Sequence, residues 1–420
     1  MEISVVGGGY VGLVTGACFA ELGHSVHIVE VDRKKAELIN SAVPPIFENG
    51  LESLLLDHAG IRLTATTGYE PVSRSDLSFI CVGTPANPDG SPDLSMVEAA
   101  SRSIGEALSG TDQDHTVVVK STVPPGTTQG FVIPTVNEAS GRDDLGFAVN
   151  PEFLSEGRAV ADFMEPGRIV IGSRENGHAV SVTRAYQSLQ APVYRTGLAA
   201  AEMIKYASGA LLATRTSFAN ELGNVCKNLG VDVFEVMKGV GMDSLQHNVP
   251  EAGAGFGGPC APKDLTALIH LAEGIGEDPV LLRSVAMVNR VQPLRMLSQL
   301  EKRIGPLRGK TVTVLGLAFR ENTDDIRDSR AIPVIMGLVR REANIRVYDP
   351  MAMCAMKRVF PFITYCGTAA EALAGADGCL VMTEWPEFRW LDSEFGGMRN
   401  RVIIEGRKIL RCEGVEGICW

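Results

Sequence analysis

The first thirty residues constrain the fold most. Ile3-Ser4-Val5-Val6 is an apolar strand run, and Gly7-Gly8-Gly9-Tyr10-Val11-Gly12 after it fits GxGxxG. Residues 13–22 have helical character and stop at Gly23; Val26-His27-Ile28-Val29 is a second strand, closed by Glu30. A lone GxGxxG is weak, but strand, glycine turn, helix, strand and terminal acid in one short unit specify a dinucleotide-binding βαβ. Gly7 permits the tight turn, Gly9 lets a pyrophosphate approach the backbone, and Gly12 lets helix and strand pack closely. The helix N-terminus offers N–H groups and a positive dipole end to the phosphates. A carboxylate at position 30, 18 residues after Gly12, can accept from both ribose hydroxyls and repels a 2′-phosphate. NAD is therefore expected rather than NADP. The alternative is a βαβ unit that holds no ligand.

Further strands are predicted at 77–82, 116–119, 147–149 and 169–171, separated by helical stretches such as 94–108. That alternation implies a parallel sheet covered by helices, with ligands beyond the strand C-termini. Three unusual segments lie there: Val82-Gly83-Thr84-Pro85, the run from Lys120-Ser121-Thr122 to Gly126, and the run from Asn150-Pro151-Glu152-Phe153-Leu154 to Glu156-Gly157. Glu152 and Glu156 are four apart, so a helical turn would put both on one face, as a solvated surface or as a functional pair.

At 420 residues, two to four domains are expected. A formal charge of −11 argues against a nucleic-acid partner. Residues 3–20 carry no charge, but their five glycines and the absent basic flank argue against a signal peptide or membrane anchor. A cytoplasmic protein is expected. The nine cysteines contain no CxxC pair and form no array with the seven histidines. Neither a disulfide framework nor a metal site is expected.

Residues 197–230 form one long helical pattern, a connecting spine or dimer contact, with Lys205 on it. The run from Gly253 through Phe256-Gly257-Gly258-Pro259-Cys260 to Pro262-Lys263-Asp264 is the most informative string. A glycine-dense loop delivers a cysteine to a helix start marked by proline and aspartate. A thiol there, near a lysine, is expected to be acidified and nucleophilic; the alternative is a buried structural cysteine. Strands at 311–315, 345–348, 378–382 and 402–404 indicate a second, smaller α/β domain without GxGxxG. Arg320, Arg327 and Arg407 each follow a strand by a few residues and could meet an anionic ligand.

Over essentially its whole length the chain resembles the UDP-glucose/GDP-mannose 6-dehydrogenases. The resemblance rests on residues 7–12, 82–85 with Asp89-Gly90 and Asp93-Leu94, 120–124, 150–157, 202–207, 256–264, 316–330, Tyr348-Asp349-Pro350 and Thr383-Glu384-Trp385. It implies an α/β chain with a Rossmann-type NAD domain at 1–196, a central helical dimerisation domain at 197–296 carrying the cysteine loop, and a sugar-nucleotide-binding Rossmann-like domain at 297–420. The implied reaction is a four-electron oxidation of a sugar-nucleotide C6 hydroxyl to a carboxylate with two NAD+, UDP-glucose being the leading substrate. The implied catalytic residues are Cys260 as nucleophile, Asp264 for proton transfer through a water, Lys205 for the oxyanion, Glu152 to activate the hydrolytic water, and Thr122 to position it. Cofactor contacts fall to Gly7, Gly9, Tyr10, Val11, Gly12, Glu30, Lys35, Thr84, Thr122, Glu156 and Arg327. Substrate contacts fall to Glu152, Phe153, Leu154, Lys205, Phe256, Gly257, Cys260, Arg320 and Arg407. A homodimer or larger homo-oligomer is implied, with no metal, membrane or nucleic acid.

Two positions depart from the family pattern. Gly209 stands where the family has an Asn that shares the oxyanion with the lysine; Ser208 or a water could replace that donor. Leu245-Gln246-His247 stands where UDP-glucose enzymes carry an Arg-Ile-Gly string. GDP-mannose or an N-acetylhexosamine nucleotide is the alternative substrate. A two-electron relative of the 6-phosphogluconate type would need neither Cys260 nor the last domain. A catalytically impaired nucleotide-sugar sensor is the reading from another class.

Overall fold

The computed structural model describes residues 1–242 and 251–420. The departure at 245–247 lies outside them. Two compact units divide the chain, Met1–Ser208 and Gly209–Trp420.

The first unit is built on an eight-stranded sheet of order β3-β2-β1-β4-β5-β6-β7-β8. The strands are β1 (Glu2–Val6), β2 (Ser25–Val29), β3 (Leu63–Thr66), β4 (Leu77–Ile80), β5 (Thr116–Val119), β6 (Gly146–Val149), β7 (Ile169–Ser173) and β8 (Val193–Thr196). Strands β4, β5 and β6 are buried along their whole length, as their largely apolar runs require when helices cover both faces. One apolar core lies around Phe19, Ile28, Leu77 and Phe79 and another around Val6, Ile80, Ile104 and Val119. Strand order reverses at β1, which pairs with both β2 and β4; ligands bind beyond such a switch point.

The sheet is not wholly parallel, contrary to expectation: β7 runs antiparallel to β6. The segment between them holds only the six-residue helix Ala159–Met164. That helix spans about 9 Å, shorter than strands of about 13–17 Å, so no crossover helix runs back along the sheet. The chain therefore re-enters at the edge it left. Strands β3 and β8 escape sequence reading; β8 is mostly exposed and carries no apolar alternation.

The second unit holds a six-stranded, wholly parallel sheet of order β11-β10-β9-β12-β13-β14. Its strands are β9 (Thr311–Leu315), β10 (Asn344–Tyr348), β11 (Thr364–Tyr365), β12 (Gly378–Val381), β13 (Ile403–Glu405) and β14 (Val415–Gly417). Central β9 and β12 bury Val312, Val314, Leu315, Leu380 and Val381 in a single core.

The helix Leu198–Leu229 has 32 residues, about 48 Å of rise. Beyond Gly209 it leaves Leu211, Leu212, Phe218, Val225 and Leu229 between 52% and 72% exposed. Its Ala210 and Ala213 pack with Leu265 and Val285 of the helices Ala261–Gly274 and Val280–Val291. Among the described residues no helix is long and apolar enough to cross a membrane, and no cluster of side chains has metal-ligand character. None of the nine cysteines is in a disulfide.

Candidate functional site

The helix Tyr10–Glu21 starts directly after the glycine turn that follows β1. A Cβ at Gly12 would overlap the carbonyl oxygen of Gly7, whereas one at Gly9 would meet no protein atom within 4 Å. The first glycine answers internal packing; the second leaves open the space that a pyrophosphate needs at a helix N-terminus. Glu30, 7% exposed, stands just past β2. Its Oε2 accepts from the Gly8 N–H at 3.0 Å and its Oε1 from the Asp32 N–H at 2.9 Å. Each oxygen keeps acceptor capacity for a hydroxyl. These residues fit the adenosine half of NAD.

Beyond β4 and β5 the two predicted threonines meet: the Thr84 hydroxyl donates to the Thr122 carbonyl at 2.8 Å. Ser121 donates to the Val82 carbonyl at 2.7 Å, joining the same two loops. Lys35 lies on the helix Arg33–Asn40. Tyr10 donates to the buried Glu48 carboxylate and accepts from the Gly157 N–H at 3.1 Å. The Tyr10 side chain thus has protein partners, and Val11 lies in the first turn of the helix.

The segment after β6 is an irregular loop rather than a helical turn, so Glu152 and Glu156 do not share a helix face. Pro151 cannot donate to a helix ladder. Glu152 turns its own Oε2 back onto the Leu154 N–H at 2.6 Å. Its Oε1 is ion-paired with Lys205 Nζ at 2.5 Å, the two side chains being 6% and 12% exposed. Burial pushes the Glu152 carboxyl up, but the charge and hydrogen bond of Lys205, the Leu154 N–H and the charge of Lys120 outweigh it and hold it below the ordinary carboxylate range. Both residues are thus charged and partnered, with Phe153 beside them: its ring lies 4.1 Å from the Arg168 guanidinium and 5.8 Å from Lys205 Nζ. Ser208 accepts from Arg168 at 3.0 Å.

In the second unit Cys260 is the N-cap of the helix Ala261–Gly274 and is exposed, whereas Cys18, Cys81, Cys226, Cys366, Cys379 and Cys419 are buried. Asp264, 3% exposed, donates its N–H to the Cys260 carbonyl at 2.8 Å, and its carboxylate pairs with Lys263 at 2.7 Å. The glycines before the thiol admit a close approach of the neighbouring chain. A Cβ on Gly257 would overlap the Asp328 carbonyl oxygen, and one on Gly258, at φ +88°, would lie 2.6 Å from the Phe319 ring. Arg407 donates to the Gly255 carbonyl at 2.8 Å, and Asn289 brackets Phe256 with bonds of 2.8 and 2.9 Å. Phe256, Asn289 and Arg330 line a cavity of about 710 Å3 with Pro262, Leu265 and Arg290. Arg327 is tied to Asp325 at 2.7 Å, and Arg320 is half-buried near Glu321.

The structure thus gathers Gly7, Gly9, Gly12 and Glu30 at one strand end, Thr84 with Thr122 at the next, and Glu152, Phe153 and Lys205 beyond β6. In the second unit it brings Cys260, Asp264, Phe256, Gly257, Arg327 and Arg407 to one loop system. Sequence reasoning missed Glu48, Tyr186, Asn289 and Arg168, none of which lies in a string of recognisable chemistry.

The UDP-glucose/GDP-mannose dehydrogenase family is matched by three models: its NAD binding domain over residues 1–190, its central domain over 199–291 and its UDP binding domain over 313–412. The chain is 46% identical to UDP-glucose 6-dehydrogenase AglM of Haloferax volcanii, over 99% of both chains. It is 39% identical to UDP-glucose 6-dehydrogenase TuaD of Bacillus subtilis, over 99% of this chain and 91% of that one. Among solved structures, a UDP-glucose dehydrogenase from Pyrobaculum islandicum superposes with a TM-score of 0.94 at 41% identity, covering 100% of this chain and 98% of that one. A UDP-D-ManNAc dehydrogenase from Pyrococcus horikoshii gives 0.88 at 28%, covering 100% and 99%.

Proposed function

Because the chain belongs to the UDP-glucose/GDP-mannose dehydrogenase family, we propose that it oxidises the C6 hydroxymethyl of UDP-glucose to a carboxylate, with four electrons leaving the sugar. The observation that carries this reading is the exposed thiol of Cys260 at a helix N-terminus, one turn before the buried Asp264. The glycine turn and Glu30 hold NAD+, which accepts one hydride from the sugar carbon in each of two turns of oxidation.

The chain's own groups do the rest. Asp264, through a water, takes the proton of the C6 hydroxyl in the first oxidation. The resulting aldehyde is a poor hydride donor. The Cys260 sulfur, as the thiolate, bonds to its carbon while the carbonyl π pair moves onto oxygen, and Lys205 Nζ stabilises that negative oxygen. Loss of a second hydride from that carbon leaves a thioester on Cys260. Glu152 takes a proton from water, the water oxygen bonds to the carbonyl carbon, the carbon–sulfur bond breaks and the uronate departs. Thr122 and Glu156 orient these groups. Phe153, Leu154, Phe256, Gly257, Arg320 and Arg407 hold the sugar nucleotide, and Thr84, Lys35 and Arg327 the cofactor. The segments 1–196, 197–296 and 297–420 serve as cofactor, dimerisation and nucleotide-sugar parts. The exposed apolar residues of the long helix are the surface for a second copy of the chain. The disulfide-free cysteines suit a cytoplasmic enzyme.

The test is NADH counted per sugar across a panel of sugar nucleotides. Two per UDP-glucose with glucuronate formed is expected, and NAD+ is preferred to NADP+. In Cys260→Ser, uronate formation is lost while NAD+ binding persists. Full four-electron turnover by that variant overturns the covalent route; one NADH per sugar overturns the reaction.

A further inference from the structure

Strands β4, β5 and β6 are neighbours in register, Ile80 opposite Val119 and Val119 opposite Val149. The next residue of each, Cys81, Lys120 and Asn150, therefore forms a row across the C-terminal edge of the sheet, all on one face. The backbone ladder runs on through them, the Lys120 N–H donating to Ile80 and the Asn150 N–H to Val119, at 3.0 and 2.9 Å. Lys120 is 4% exposed. Its ammonium donates to Asn150 Oδ1 at 3.0 Å and reaches the Tyr186 hydroxyl at 3.4 Å, while that hydroxyl donates to the same Asn150 oxygen at 2.6 Å. Among the described residues no carboxylate lies within ion-pairing distance of it. A buried ammonium held only by neutral partners is costly, and a methionine there would be cheaper.

Two residues beyond Asn150 is Glu152, whose carboxylate touches Lys205 on one side and feels the charge of Lys120 from another. Lys205 must turn its charge toward the substrate oxygen when that oxygen becomes negative, and Glu152 then loses much of its partner. We propose that Lys120 is a positioning residue for Glu152, a fixed buried cation that keeps the carboxylate ionised and ready to take a proton from water when Lys205 is engaged elsewhere. The inference rests on the role given above to Glu152.

The other titratable groups facing Lys120 are the thiols of Cys81 and Cys18, both pushed up to about 12 by burial, and the phenol of Tyr186, also pushed up. They stay neutral across the working range, so Lys120, Glu152 and Lys205 are the charges that matter. Burial lowers Lys120 itself to about 8, so it is mostly charged at neutral pH and its support fades on the alkaline side.

The experiment is the pH profile of kcat for uronate formation, from about pH 4 to 9.5, in Lys120→Met, Lys120→Gln and Glu152→Gln. Without the cation Glu152 holds its proton to higher pH, so the acidic limb moves upward by about half a unit or more in both lysine variants. The KM for NAD+ stays within about twofold, which a general collapse of the sheet edge would not allow. Glutamine retains a hydrogen bond to Asn150 but no charge, and it guards against a methionine variant that does not fold. A wild-type limb in either folded lysine variant overturns the proposal while leaving the role of Glu152 intact. If Glu152→Gln keeps both hydrolysis and the wild-type limb, the role of Glu152 fails and the proposal falls with it.

Discussion

Replacing Lys205 by methionine removes one member of a buried ion pair and keeps its volume. Glu152 would be left 6% exposed with a backbone N–H and a more distant lysine for support. Deleting one partner of a buried pair costs about 3–5 kcal/mol, most of it the penalty for the charge left behind. The penalty depends on pH in a direction fixed by the native geometry. With Lys205 present, the Glu152 carboxyl is held below the ordinary range, so its contribution is full above the unfolded value of about 4.3 and is lost as pH falls through the lower folded value. Without Lys205, burial is the dominant influence and the folded value rises above the unfolded one. The variant then loses stability as pH rises from about 4 toward neutrality. The gap between the two proteins should already be present at pH 5, where the wild-type term is complete, and should grow to its full size by pH 8 as the variant's own penalty accrues. Denaturant unfolding followed by circular dichroism reads both units, whereas fluorescence reads the second, because Trp385, Trp390 and Trp420 all lie there. The double variant Lys205→Met with Glu152→Gln should recover much of the loss. A gap below about 1 kcal/mol, or one of equal size at pH 5 and pH 8, refutes the claim that a buried charge is being neutralised.

Gly258→Ala forces an alanine into φ +88° with its Cβ 2.6 Å from Phe319; the cysteine loop must shift, and kcat should fall about 10–100-fold with the Kd for NAD+ unchanged. Wild-type turnover in that variant would mean that the glycine wedge does not set the position of the thiol. Gly209→Asn adds a side chain into open space, its Cβ meeting no atom within 4 Å, and should raise kcat about tenfold or more if an oxyanion donor is missing. Unchanged turnover there, with turnover lost in Ser208→Ala, would instead assign the donor role to Ser208 and its Arg168 partner.

The first βαβ, the long helix, the two sheets and the cysteine loop were legible because each is written in local pattern: apolar runs, glycine punctuation and a proline-marked helix start. The direction of β7 was not, since strand direction depends on how far the intervening chain can travel. The one-face pairing of Glu152 and Glu156 failed because a spacing of four means nothing until the backbone is helical, and Pro151 and the Glu152 side chain divert it. Buried polar partners were hidden for another reason. Lys120 meets Tyr186 across 66 residues and Tyr10 meets Glu48 across 38. Nothing in either neighbourhood announces such a partner.

The thiol loop, wedged by its glycines against Phe319, Asp328 and the Arg407 strand end, has no slack of its own. A shift of that sheet margin is passed to the loop that carries the sulfur. A nucleotide gripping Arg407 would therefore pull directly on the nucleophile's mounting, so that substrates with an ill-fitting base or diphosphate should react slowly even when their sugar is right.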